Sequence, residues 1–294
     1  MSSAAEKSFQ GEGRWLGSAE VYSGDGQFLG NGLDMRRVER AGEGLTRIDV
    51  TFIGPMKAAG HYHIQEFADH RVYLGPVNVG YADLLAPNLV DANAYWPTLG
   101  LSQRFFLMVL EDRQLSLALM SRGERLLYAV VGENERVTGP DPLPRVQTGT
   151  SYDLAGDPRA GRAHLLLHRN GAWRGTLSFI EGPMANPTSH LYQEVRQGDT
   201  VCAEGQRLAE TWRVELHSDG WQAWTPPGDV VGSYSLYGGR ALSGVFHHTA
   251  THYRVWRREV ADLSGTTKAV LNTWYVGQKV VGHEFGVLTY EAAP

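Results

Sequence analysis

The 294-residue sequence contains a single cysteine, Cys202. One thiol cannot close an intramolecular disulfide or build a multi-cysteine zinc site. The fold therefore needs no oxidising compartment. Long hydrophobic runs are missing as well. The longest, such as Phe105 to Leu110, fall far short of the roughly 20 apolar residues of a membrane-spanning helix. Positive charge is not in excess: 27 Lys and Arg stand against 32 Asp and Glu, a formal net charge of −5. A broad nucleic-acid-binding face needs surplus Lys and Arg to replace phosphate counterions, so nucleic acid is not an expected partner. The opening residues MSSAAEKSFQGEG carry neither the apolar core nor the cleavage pattern of a secretory signal. A soluble, cytoplasmic protein without a membrane span is expected.

Several familiar chemistries lack their signatures. The chain has no G-x-x-x-x-G-K-[S/T] phosphate loop, no G-x-S-x-G elbow and no H-E-x-x-H metal motif. Gly24-Asp25-Gly26 precedes a predicted strand rather than a helix, so it reads as a turn and not as a dinucleotide fingerprint. No organic cofactor is implied. Cys202 has no adjacent base in sequence, which argues against a catalytic thiolate.

Amphipathic helical periodicity is scarce, with Leu84 to Asn93 the best candidate. What is abundant is β signal. Thirty-five glycines and thirteen prolines punctuate short segments rich in Val, Thr, Tyr, Phe and Trp. In the first half, strands are predicted at Trp15 to Tyr22, Gln27 to Arg40, Leu45 to Ile53, Ala59 to Phe67 and Arg71 to Leu74. Three more follow at Phe105 to Leu110, Leu115 to Met120 and Leu126 to Val131. Pro76 to Gln103 stands apart. It is long for a turn and rich in polar and aromatic groups, and reads either as a functional rim or as a short surface helix.

Gly132 to Ala160, rich in Gly, Pro, Asp and Thr, reads as a connection between halves. The lobe boundary is expected near Gly139 to Gly161, with domains at 1–145 and 146–294. The second half resumes with strands at Ala163 to His168, Trp173 to Ile180, Leu191 to Val195, Glu210 to Leu216 and Val230 to Leu236. Val245 to Thr251, His252 to Val260, Ala269 to Tyr275 and Phe285 to Tyr290 complete it. Short strands at regular spacing point to an all-β barrel or sandwich.

The halves echo each other. Gly13-Arg-Trp15-Leu-Gly17-Ser18 and Gly171-Ala-Trp173-Arg-Gly175-Thr176 both fit G-x-W-x-G-[S/T]. A second echo pairs Gly60-His-Tyr62-His63 and Arg71-Val72-Tyr73 with Gly244-Val-Phe246-His247 and Arg254-Val255-Trp256. Ordered matches of this kind suggest an internal duplication.

A G-x-W signature opening a β meander resembles the lipocalin and wider calycin group. Two copies resemble two-lobed lipocalin-like proteins, among them bacterial carotenoid hydratases and secondary-metabolite cyclases. The resemblance implies two tandem antiparallel barrels of about eight strands, in which Trp15 and Trp173 each plug one end. Such a barrel holds side chains or one small hydrophobic molecule. No catalytic residue is carried over by it.

Candidate site residues come from the pattern alone. His61 and His63 share one strand face, with Tyr62 and Ile64 on the other. The histidines suit either acid/base work or a metal site, with Glu66, Asp69 or His70 as further ligands. His283-Glu284 reads either as an acid/base pair or as a turn feature. The 76–104 segment concentrates Tyr81, Asp83, Asp91, Asn93, Tyr95 and Arg104 beside Trp96 and Phe105. The expected catalytic set is His61, His63, Asp83, Asp91, Tyr95 and Arg104, and the expected ligand contacts are Tyr62, Tyr81, Trp96 and Phe105. No metal is assigned to the favoured reading.

That reading is a cofactor-independent isomerase, cyclase, hydratase or lyase acting on a small hydrophobic molecule. The alternatives are a non-catalytic carrier of such a molecule and a His/carboxylate metal enzyme. Strand edges at the barrel seams offer a route to a homodimer.

Overall fold

The computed structural model describes residues 9–67, 70–139, 170–181, 186–197, 200–207, 210–218, 222–225, 230–249 and 251–293. Among these the regular structure is entirely β. The first ten strands are β1 (Gly13–Ser23), β2 (Phe28–Gly42), β3 (Leu45–Ile53), β4 (Lys57–Glu66), β5 (Arg71–Leu74), β6 (Val79–Ala86), β7 (Leu89–Trp96), β8 (Leu101–Leu110), β9 (Arg113–Arg122) and β10 (Arg125–Arg136). The second ten are β11 (Gly171–Ile180), β12 (Thr188–Gln197), β13 (Thr200–Arg207), β14 (Glu210–Ser218), β15 (Gln222–Trp224), β16 (Val230–Tyr237), β17 (Ala241–His248), β18 (Tyr253–Ala261), β19 (Thr267–Val276) and β20 (Lys279–Ala292). Each set forms a closed antiparallel barrel in which every strand pairs with its sequence neighbour. The ring closes by β1 pairing with β10, and by β11 pairing with β20. The two compact units are Met1–Thr150 and Ser151–Pro294.

Ten strands per barrel, rather than about eight, enlarge the interior, because diameter grows with strand number. The additional strands come partly from residues 76–103, which form β6, β7 and the start of β8 rather than a loop or a helix. The helical candidate Leu84 to Asn93 is a tight β6–β7 hairpin, with Leu84 opposite Val90. β13 and the three-residue β15 also lie where no strand was expected, and β15 makes the second ring thin at that point. β10 runs on to Arg136, into the segment read as a connection. The expected strand at Ala163 to His168, and residues 140–160 of that connection, fall outside the described residues. So does Asp69. Closure removes the free sheet edges that strand addition by a second copy would need.

The G-x-W-x-G echo is structural. Both copies open the first strand of a barrel. Gly13 and Gly171 take φ values of +123° and +142°, which favour glycine. A Cβ on Gly17 would lie 2.0 Å from the Glu133 carbonyl oxygen, and one on Gly175 would lie 2.4 Å from that of Val287. These glycines let the first strand approach the last closely enough to close the ring. The second echo has no such basis. Gly60 to His63 belongs to β4, the fourth strand of its barrel, whereas Gly244 to His247 belongs to β17, the seventh of the other. By register Gly244 matches Ala92 of β7, so that sequence match is coincidental.

The second barrel is cored with charge as well as with apolar side chains. Trp173, Leu177, Tyr192, Tyr234, Phe246 and Leu288 belong to its buried cluster. Among them Lys268 Nζ donates to Glu194 at 2.5 Å and to Glu259 at 2.6 Å, and the Arg257 guanidinium binds the same two carboxylates. Tyr192 donates to Glu194 at 2.5 Å. Two acids and two bases cancel, which is how such groups survive burial. Further along the interior, Glu284 accepts from Asn272 at 2.6 Å and lies 2.8 Å from His190. Glu284 is therefore neither a turn residue nor paired with His283, whose ring contacts Thr273 at 3.4 Å.

Burial alone would raise the pKa of Glu194, but Lys268 and Arg257 outweigh it and lower it to about 2. Glu284 is likewise opposed by burial and lowered overall by His190 and Asn272. Both shifts depress a carboxylate below its unfolded value, so their stabilisation is full above about pH 4.5. It should fade as pH falls towards 2. Urea midpoints followed through tryptophan fluorescence should drop across this window, and Lys268→Met should lose about 3–5 kcal/mol at neutral pH by stranding the carboxylates. Gly17→Ala and Gly175→Ala should each cost at least about 1–3 kcal/mol in the same assay, because the obstructing atom is backbone.

Candidate functional site

Inward-facing side chains of the first barrel surround a cavity of about 230 Å³. One end is shut. Trp15, Val38, Leu107 and Val109 pack together there, with Phe9 and Ile48 against them. Residues 9–12 cross this end and are tied down. The Gln10 N–H donates to the Pro87 carbonyl at 2.7 Å. Arg136 donates to the carbonyls of Glu12 and Gln10 at 2.5 and 2.9 Å, and its guanidinium lies 4.2 Å from the Trp15 ring centre. Trp15 itself donates to the Gly11 carbonyl at 2.8 Å. The register that pairs Trp15 with Arg136 pairs Trp173 with Tyr290, and there the rings meet edge-on at 5.4 Å. Phe52, Met56, Trp96, Met120 and Val130 also line the cavity, away from the closing cluster.

The walls are mainly apolar and aromatic, with a few polar groups set among them. Arg36 and Asp34, two apart on β2, form a bidentate pair. Nε reaches Oδ1 at 3.1 Å and Nη2 binds Oδ2. Arg36 also reaches Ser116 Oγ at 3.3 Å and stands 5.5 Å from the Phe105 ring centre. Arg71 pairs with Glu66 at 2.8 Å. Tyr62 and Tyr73 stack at 5.1 Å between centroids. Gln114 reaches the cavity from β9. Burial raises the hydroxyl pKa of both tyrosines, so both stay protonated through neutral pH.

The register gives the second barrel equivalents for four of the wall positions. Arg36, Phe105, Leu107 and Gln114 correspond to Glu194, Arg257, Glu259 and Lys268. The four positions that carry the mutually paired charges in one barrel therefore line a cavity in the other.

Of the residues singled out from sequence, Tyr62, Trp96 and Phe105 lie on the cavity wall. The rest do not. His61 is 67% exposed and meets Asp49 at 2.5 Å, and His63 is exposed on the same outer face. Glu66 lines the cavity, so it cannot converge with them on a metal. His70 stacks on Phe67 at 4.8 Å. Among the described residues no three His, Cys, Asp or Glu side chains are grouped to hold a metal.

Asp83 and Asp91 are cross-strand partners beside the inward Ala82–Ala92 pair, and so belong to the outer face. Burial, then Asp91, raises the Asp83 pKa. Tyr81 and Tyr95 are 45% and 48% exposed, and Arg104 donates to the Tyr81 hydroxyl at 3.3 Å. Asp34, Arg36, Arg71, Gln103, Gln114 and Ser116, which also line the cavity, were not among the candidates. The signal was Asp34-x-Arg36-x-Val38, a same-face row that is polar at two positions and apolar at the third.

An alkaline ultraviolet titration should show Tyr62 and Tyr73 ionising only above their ordinary value of 10.0, with a late step lost in Tyr73→Phe. A normal titration of all tyrosines would contradict this geometry.

No protein-family model matches the sequence, and no curated protein matches it. The chain is similar to a crystal structure of a protein of unknown function from the DUF3598 family of Nostoc punctiforme PCC 73102. The match covers 96% of this chain and 97% of the other, with 13% identity and a TM-score of 0.57. A putative outer membrane protein from Bacteroides fragilis NCTC 9343 also aligns, over 95% of this chain and 97% of its own, at 10% identity and a TM-score of 0.24. What the chain shares with the DUF3598 protein is its fold, a two-lobed antiparallel β-barrel architecture.

Proposed function

We propose that the first barrel binds one small, largely apolar molecule. The observation that carries this reading is the contrast between equivalent interiors. Four positions that fill one barrel with paired charge are Arg36, Phe105, Leu107 and Gln114 in the other, around a cavity. An apolar cavity of about 150 Å³ takes benzene, so 230 Å³ suits a one- or two-ring molecule. The cavity's ions are internally paired and its tyrosines hold their protons, which suits orientation of a guest better than proton abstraction.

A second reading is a cofactor-independent isomerase, cyclase, hydratase or lyase using the same cavity. It is favoured by one observation: the protonated Tyr73 sits within the field of Arg36, where its hydroxyl can donate to a developing negative charge.

Calorimetric titration with naphthalene should give one site per chain. Ala92→Phe, which pushes a ring into the cavity, should weaken binding about tenfold or more. His61→Ala and His63→Ala should leave it unchanged. Equal binding to wild type and Ala92→Phe, with the fold confirmed by circular dichroism, would sink the cavity assignment. Native mass spectrometry of protein from its own host supplies the natural guest. Recovery of that guest unaltered after incubation supports a carrier. Conversion that Tyr73→Phe abolishes without loss of binding supports the enzyme.

A further inference from the structure

We infer that the guest of the first barrel is an electrically neutral, ring-containing molecule that presents a hydroxyl or carbonyl oxygen to the side-chain amide of Gln114. This deepens the binding reading above and rests on it. Gln114 is 1% exposed and lines the cavity, yet neither its Nε2 nor its Oε1 has a hydrogen-bond partner. Its cross-strand neighbour Asn134 is 0% exposed, and Asn134 Oδ1 is unpartnered too. Buried polar atoms are rarely left this way, because the loss of hydration is not recovered.

The equivalent side chain in the second barrel shows what satisfaction looks like. Lys268 occupies the register position of Gln114 and is bound by two carboxylates from its own barrel. In the first barrel, the position equivalent to Glu259 is Leu107, and that equivalent to Glu194 is Arg36, already engaged by Asp34. Gln114 is thus left facing the cavity with the two N–H donors of Nε2 and the carbonyl acceptor Oε1 to offer.

Charge decides the rest of the chemistry. Asp34 is paired with Arg36, and Glu66 with Arg71, so the wall offers an ionised guest no unpaired counter-ion. An ionised head would have to break one of these pairs or enter the cavity uncompensated, and both are costly. A hydroxyl or carbonyl can exchange hydrogen bonds with the amide at no such cost. The stacked Tyr62–Tyr73 pair, Trp96 and Phe105 give flat aromatic surface for a ring.

The test is calorimetric titration at pH 7 of three probes on one ring system: naphthalene, 2-naphthol and 2-naphthoate. 2-Naphthol is neutral there, as phenols ionise near pH ~10, and the carboxylate is ionised. The expected order is 2-naphthol tightest, by about tenfold over naphthalene, with 2-naphthoate weaker than either. Gln114→Leu should remove the preference for 2-naphthol while retaining naphthalene. The probe order in the unaltered protein does not depend on that variant folding. Naphthalene and 2-naphthol binding equally, or 2-naphthoate binding tightest, would overturn this inference and leave the cavity reading intact. Binding of none of the three would overturn both.

Discussion

Everything in this protein depends on the first strand of each half reaching the last. Without that contact the ten strands form an open, curled sheet with two exposed edges and no enclosed interior. The contact is allowed by the absence of a side chain at Gly17 and Gly175, where a single methyl group would collide with a carbonyl across the seam. Two positions along, Trp15 and Trp173 are buried in their barrels, and Trp15 belongs to the cluster that shuts one end of the first. The short motif therefore combines two physical roles: glycines that permit closure and a large ring that fills space next to the seam.

Closure creates an interior but does not dictate its contents. The second barrel holds two carboxylates, an ammonium and a guanidinium in a net-neutral cluster surrounded by apolar side chains. The first keeps one ion pair near the corresponding place, with Phe105, Leu107 and an amide at the other positions. A charged quartet is specific about its partners, since removing any member strands another. A wall of phenylalanine, leucine and alanine is tolerant, since dispersion contacts do not distinguish a neighbouring side chain from a guest of similar shape. The same backbone plan thus supports one interior that recognises itself and one that is free to recognise something else.

Much of this was legible in the sequence, and what was not has identifiable causes. Strand patterning revealed β1 to β5 and β9 through apolar residues recurring on one face, and β8 and β10 through short continuous apolar runs, Phe105 to Leu110 and Leu126 to Val131, bounded by charged turns. It failed at β6 and β7, where Asp83, Asp91 and Asn93 alternate with small alanines and prolines flank the hairpin. The alternation of His61-Tyr62-His63-Ile64 separated two faces correctly, and Tyr62 does turn inward. A single strand shows that Asp34 and Arg36 share a face with Val38 but does not say that this face is the interior one, because that depends on partners supplied by β9 and β10. Ser116 lies 80 residues from Arg36 and Asn134 lies 100 from Asp34. Interior polar groups are defined by such distant pairings, whereas outward ones announce themselves by being polar.

The knotted-down end of the first barrel bears on traffic. The Trp15 ring and the Arg136 guanidinium donate to the backbone of residues 10–12, and Gln10 donates to Pro87, so opening that end would break several bonds at once. On the proposed binding reading, a guest would exchange away from that cluster, past Phe52, Met56, Trp96 and Met120, which line the cavity. Two of these are methionines, whose unbranched thioether chains swing among rotamers at little cost. Residence time would then be governed by side-chain rotation at a soft rim and not by any breathing of the sheet, so the barrel can remain rigid while its contents turn over.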